Sequence, residues 1–184
     1  MKTYPGATQK HSPFYDERPS DAEISLLVIH NISLPPGQFN TPGIEQLFTG
    51  TLNPDDDNFY KEIAGLKVSA HCVIYRDGSI DQFVPFTQRA WHAGVSVFQG
   101  TPRCNDYAIG IEMEGTDTQP YTDAQYHALI QLSTSVCTAF PAITAGRIVG
   151  HNDIAFGRKT DPGPFFDWAR YRSGLFLNAG VAGR

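Results

Sequence analysis

The apolar positions of this chain follow several distinct rhythms. Residues 25–29, Ser-Leu-Leu-Val-Ile, form a short continuous run that reads as a buried strand. Residues 107–114 alternate instead, with Ile109, Ile111 and Met113 on one face and Ala108, Gly110, Glu112 and Glu114 on the other. A further strand is expected over 68–75, and Asp77-Gly78 makes a tight turn into 79–84, a hairpin signal. The spacing of Tyr126, Leu129, Ile130, Leu132 and Val136 predicts a helix over 122–139, with Asp123 near its start and Pro141 beyond its end. Residues 147–150 read as a short strand that delivers His151, and 165–176 as a closing helix. Between these lie two loop regions: 35–65, opened by Pro35-Pro36-Gly37 and holding a short helix at 43–48, and 89–100 around Trp91-His92-Ala93-Gly94. Residues 1–23, interrupted by Pro5, Pro13 and Pro19, read as an arm over the surface, and 178–184 as a frayed end. The sum is a mixed α/β fold with helices packed on a sheet, in one domain spanning 1–184.

Composition narrows the function classes. Apolar residues are 41% of the 184, ample for a packed core. A net charge of −5, spread along the chain, gives no electrostatic case for nucleic acid or an anionic membrane. No run approaches the roughly 18 apolar residues of a membrane span, and the N-terminus has no apolar signal core. Cys72, Cys104 and Cys137 are an odd set without CxxC spacing, so reduced thiols and a cytoplasmic location are expected.

Candidate chemistry begins with His30, which closes the first apolar run, and with His151 and Asp161, ten residues apart. Two imidazoles and a carboxylate suffice to hold a zinc ion that keeps one position open for water. The spacing alone is not a signature, and His30 taken singly also reads as a satisfied histidine at a strand end. Glu112 lies among small residues on its strand face and suits a carboxylate that moves a proton for an attacking water. Glu114 shares that face and competes for the role, although it stands nearer the strand end and is expected to be solvated. Lys159 is either one of fourteen basic surface residues or a donor to a developing oxyanion. His71 and His92 are rival ligands, His71 reading better as a core histidine. Trp91 either lines a cleft or sits half-buried beneath a loop. His11 and His127 look peripheral, and nothing around the thiols marks a nucleophile.

Several segments together carry a resemblance. Residues 28–37, 68–72, 91–94, 104–106, 109–117 and 150–168 resemble the zinc N-acetylmuramoyl-L-alanine amidase family, in order and with compatible gaps, over roughly residues 13–172. The resemblance implies a central mixed β-sheet flanked by helices, with His30, His151 and Asp161 on the Zn2+ ligand positions. It puts Glu112 on the general acid/base position and Lys159 on the oxyanion-stabilising position. An aspartate at 161, where other branches of the family often have cysteine, leaves zinc a stronger Lewis acid and suits a hydrolase. Arg103 matches a position that meets the stem-peptide carboxylates. Lys67 stands where close relatives can carry arginine, so recognition there weakens to a point charge. Asn31 and Trp91 fall on the sugar side. The implied activity is cleavage of the lactyl amide of 1,6-anhydromuramoyl peptides by a cytoplasmic monomer in cell-wall recycling, which lowers a signal inducing chromosomal β-lactamase. The rivals are an amidase on polymeric peptidoglycan and a muropeptide-binding protein without turnover.

Overall fold

The computed structural model describes residues 1–179. Its N-terminal arm is stitched into the sheet rather than laid over it, which corrects the expectation from its prolines. β1 (Thr8–Gln9) and β2 (Tyr15–Asp16) are short, and β3 (Leu26–Ile32) follows. Two helices come next, α1 (Gly43–Thr49) and α2 (Asn58–Ile63), then β4 (Cys72–Ile74), β5 (Ile80–Gln82) and β6 (Arg89–Ala90). Beyond them run β7 (Val97–Phe98), β8 (Thr101–Pro102), β9 (Ala108–Glu114) and α3 (Asp123–Ala139). β10 (Ile148–Gly150), the single turn α4 (His151–Ile154) and α5 (Trp168–Ala179) complete the order.

The main sheet has six strands in the order β1-β5-β4-β9-β3-β10. β4, β9, β3 and β10 run parallel to one another, β5 is antiparallel to β4, and β1 lies parallel to β5. The mixed α/β expectation therefore holds. The arm earns its place through backbone bonds such as Lys10 N–H to Gln82 O at 2.8 Å, and through the pairing of β2 with β6. Arg18, at its end, sends its guanidinium to the carbonyls of Asn105, Asp106, Phe86 and Ala108. Burial, opposed by Asp106, lowers that guanidinium to about 10.

The core follows from the two central strands. Leu27 and Ile29 join Ile109, Ile111 and Met113, all fully buried, on the face covered by α3 and α5. Leu26 and Val28 turn to the other face with Ala108 and Ala93. β3 is a continuous apolar run because both of its faces are covered. α3 starts on a capping box between Thr122 and Gln125, close to the expected boundary.

Other expectations need correction. The strands expected over 68–75 and 79–84 pair regularly only over β4 and β5. Residues before β4 bond elsewhere: Ser69 N–H to Trp91 O and His71 N–H to Gly110 O. α2 interrupts the expected loop region, started by Asp57 accepting from Phe59 N–H at 2.8 Å. It buries only Tyr60 and so leaves no apolar period to read. α5 starts three residues later than expected because Phe166 N–H is turned back to Gly163 O. The frayed end expected from 178 lies outside the described residues from 180 on, while 178 and 179 belong to α5.

Glu114 is fully buried, not solvated. Its Oε1 accepts from Asn40 N–H at 2.7 Å and its Oε2 from Arg76 N–H at 3.0 Å, tying two loops to the end of β9. Glu114→Ala should lower unfolding free energy by roughly 2–4 kcal/mol, the cost of two buried amides losing a charged acceptor. Urea unfolding checks this, and metal uptake by the folded variant should be unchanged.

Candidate metal centre

Three neighbouring parallel strands bring the chemistry to one edge of the sheet. His30 and Glu112 are register partners on β3 and β9, so both side chains leave the same face. Gly150 pairs with Ile29 at the end of β10, and His151 follows it at once. Crevices outside the carboxyl ends of parallel strands are the usual ligand sites of such sheets. The turn beginning at His151 is held by Asp153, which accepts from Gly150 N–H at 2.8 Å. Asp161 arrives on the following loop, where Asn152 N–H bonds to its carbonyl at 3.0 Å and Tyr121 Oη–H bonds to Pro162 O at 2.8 Å.

His30 Nδ1, His151 Nδ1 and Asp161 Oδ2 form a nearly equilateral triangle. Its sides are 3.0 Å between the imidazoles, 3.1 Å from His30 to Asp161 and 3.0 Å from His151 to Asp161. These are the three groups able to hold a metal ion among the described residues. Both imidazoles are buried, and Asp161 is nearly so. His151 Nε2–H donates to Ala93 O at 3.1 Å, which leaves the His151 Nδ1 lone pair facing the triangle. His30 Nε2 lies 2.9 Å from His92 Nδ1, so the same tautomer is open to His30. Three acceptors this close repel one another unless a proton or a cation lies between them. Four-coordinate ligands at about 2.0–2.2 Å are spaced roughly 3.3–3.6 Å apart, so the donor set suits a small divalent ion in chemistry and needs to open by only a few tenths of an ångström to hold one.

Electrostatics support an open lone pair. Burial, only partly opposed by the hydrogen bond to Asp161, pushes His30 down to about 4, so it is neutral at physiological pH. Burial alone would raise the Asp161 carboxyl, but the His151 and His30 imidazoles beside it hold it below the usual range. Glu112 is moved the other way. Burial first, and the Asp161 charge second, push its carboxyl well above the ordinary value, while Lys159 pulls back. Glu112 Oε2 is buried with no hydrogen-bond partner, a costly state for a group without a task.

The remaining candidates are distributed unevenly. Lys159 is exposed on the loop before Asp161, yet its charge bears on both Glu112 and His30. Asn31, beside His30, donates to Asp117 Oδ1 at 2.8 Å. Trp91 is half-buried, with its indole N–H on Asp16 at 3.0 Å and its ring stacked with Phe14 of the arm. Lys67 is exposed and makes no ion pair among the described residues. Arg103 is 79% exposed, bonds to Asp106 at 3.0 Å, and lines a cleft with Pro19, Thr101, Tyr107 and Arg147 that includes no member of the triangle. His71 is a satisfied core histidine, with Nδ1 accepting from Gly110 N–H at 3.0 Å and Nε2 bonded to Gln88 O at 3.1 Å. His92 lies behind His30, not in the triangle. The Ala93 carbonyl and Asn105, which reach the site through backbone bonds, left no mark in the pattern of chemical side chains. All three cysteines are unpaired thiols.

Comparison with known proteins gives the family of the chain. The N-acetylmuramoyl-L-alanine amidase family matches residues 20–164. The chain is 59% identical over 168 residues to the 1,6-anhydro-N-acetylmuramyl-L-alanine amidase AmpD of Salmonella typhimurium (strain SL1344), covering 91% of this chain and 89% of that one. A crystal structure of a selenomethionine AmpD derivative superposes with a TM-score of 0.91 at 57% identity, over 94% of this chain and 96% of that one. A complex of the Escherichia coli amidase AmiD with the substrate anhydro-N-acetylmuramic acid-L-Ala-D-γ-Glu-L-Lys superposes at 0.62 and 30% identity, over 86% and 60% of the two chains. This chain belongs to the N-acetylmuramoyl-L-alanine amidase family and is an amide hydrolase.

Proposed function

We propose that the protein is a zinc-dependent hydrolase that cuts the amide between the lactyl group of 1,6-anhydro-N-acetylmuramic acid and L-alanine in small muropeptides. The observation that carries this reading is the triangle of His30, His151 and Asp161 with a buried, unpartnered Glu112 carboxyl alongside it. Likeness to enzymes named for that substrate supports the choice of bond and sugar. In the same reading the chain is one domain that acts as a cytoplasmic monomer on small muropeptides rather than on nucleic acid or membrane. Among the described residues no helix is long and apolar enough to cross a membrane.

His30, His151 and Asp161 would hold the zinc, which when bound supplies Lewis acidity toward a carbonyl and makes water acidic enough to attack near neutral pH. Glu112 takes the proton that the attacking water loses and gives it to the alanine nitrogen as the C–N bond breaks, so the carboxylate is regenerated. Its raised proton affinity suits both halves of that transfer. Lys159 supplies positive charge for the oxyanion on the former carbonyl oxygen. Arg103, Lys67, Asn31 and Trp91 are proposed contacts for the stem peptide and sugar.

The deciding experiment is incubation of purified protein with anhydromuramoyl tripeptide, with and without a chelator. Peptide release should stop on zinc removal and return on its addition. Cleavage indifferent to the chelator, or none by zinc-replete protein, would refute the reading. Lys159→Ala should lower kcat by roughly 10²–10³, the usual loss for one oxyanion donor, with a smaller change in KM. Steady-state kinetics check it.

A further inference from the structure

Both imidazoles of the triangle find the partner of their second nitrogen in one two-residue stretch. His30 Nε2 meets His92 Nδ1 at 2.9 Å, and His151 Nε2 meets the carbonyl of the next residue, Ala93, at 3.1 Å. The stretch is itself held from several sides. The N–H groups of His92 and Ala93 both donate to a single side-chain oxygen, Asn105 Oδ1, at 3.1 and 2.8 Å. Arg158 clamps Ala93 O and Val95 O, each at 2.7 Å. Trp91 N–H donates to Ser69 Oγ at 3.0 Å. The His92 ring lies flat against the backbone of Gly110, where a methyl group would come within 2.5 Å of ring atoms.

We infer that residues 92 and 93, anchored by Asn105, form a single clip that holds both histidines with Nδ1 toward the metal: the Ala93 carbonyl fixes the tautomer of His151, and His92 is the positioning residue that accepts from His30 when the metal is bound. The chemistry admits one consistent assignment when a cation occupies the triangle. His30 must then offer the Nδ1 lone pair, so its proton sits on Nε2 and donates to His92 Nδ1. His92 is left with its own proton on Nε2, a buried atom with no partner. An orphaned donor is unfavourable for stability, and it is retained where the lone pair on the other side of the ring has a use. Second nitrogens of metal-bound histidines are commonly held this way, and losing the partner typically weakens binding by about 10–100-fold. The usual partner is a carboxylate, carbonyl or water; a neutral imidazole keeps the His30 site free of a further negative charge. Glu112 and Asp161 thus remain the carboxyl groups nearest the reaction.

This inference rests on the zinc reading, and the test separates the two. Zinc affinity of the full chain is measured by chelator competition, and the geometry is followed by the visible absorption bands of the cobalt-substituted protein. His92→Leu fills the space without an acceptor and should bind zinc about 10–100-fold more weakly, with altered cobalt bands. His92→Asn returns an acceptor close to the position of Nδ1 and should recover most of that loss. Gly110→Ala provides an independent variant, since it displaces the His92 ring without touching any hydrogen-bonding group, and should weaken zinc in the same direction. Unchanged affinity in His92→Leu or Gly110→Ala would overturn the inference, as would equal weakening in His92→Leu and His92→Asn. Wild-type protein that takes up no zinc would overturn both the inference and the reading beneath it.

Discussion

Glu112→Gln should keep its zinc and lose turnover by about 10²–10⁴-fold, the range that a positioned acid/base group supplies. The substitution preserves the shape of the side chain and removes only its capacity to accept and return a proton. A purely structural role for Glu112 predicts the opposite on every count. Its Oε2 is buried without a hydrogen-bond partner, so the change breaks no bond at that oxygen. Folding stability supplies a second readout. In the metal-free protein the carboxyl is raised above its ordinary value by burial and by Asp161. A raised acid holds its proton more tightly folded than unfolded, so stability falls as pH rises from the unfolded value toward the folded one. That loss is absent from the glutamine variant. Metal-free Glu112→Gln should therefore melt at least as high as the metal-free parent at neutral pH, the pattern expected where a protein keeps an unfavourable group for function. Unchanged turnover at full zinc occupancy would remove Glu112 from the chemistry. With both oxygens of Glu114 held by backbone amides, no second carboxylate on that strand face is left to inherit the role.

What the sequence disclosed depended on how local each signal was. The run ending at His30 and the alternation ending at Glu114 are properties of a few adjacent residues, and both appear as seven-residue strands. Alternation also placed Glu112 on the face opposite Ile111. It could not choose between Glu112 and Glu114, because that choice depends on amides of Asn40 and Arg76, 74 and 38 residues away. β1 and β2 are too short to show any period, and they are held by partners near residues 82 and 90. The His151–Asp161 spacing became informative only through the company of the other motifs. Geometry then explained the spacing: a single helical turn and a loop return the chain so that Asn152 N–H meets the Asp161 carbonyl. His92 was visible as an imidazole, but its place behind His30 depends on the close approach that Gly110 allows across the sheet. The stem-peptide positions were the least legible. Lys67 and Arg103 are exposed, and no contact among the described residues orients them toward the triangle.

Asp161→Asn should lower zinc affinity by about 10²–10⁴-fold, which corresponds to the roughly 3–5 kcal/mol usually lost when one partner is removed from a buried charged pair. Asp161 brings the one negative charge to the triangle, and the two imidazoles hold it ionised. Asparagine retains an oxygen and nearly the same volume, so whatever is lost reports charge rather than packing. Bound zinc also stabilises the fold by mass action, about 2.7 kcal/mol when the free ion stands at a hundred times its dissociation constant. At a fixed zinc concentration near that level, most of the increment should vanish from the melting curve of the variant. Once both are stripped by a chelator the variant should still melt somewhat below the parent at neutral pH, because a carboxyl held below its usual range also stabilises the metal-free fold, and the gap should be smaller than in the presence of zinc. Turnover should track occupancy and return partially at high zinc. Full zinc content in Asp161→Asn, measured by elemental analysis after dialysis, would take the carboxylate out of the ligand set. His30 and His151 alone would then be too few protein ligands for an ion that must also hold substrate.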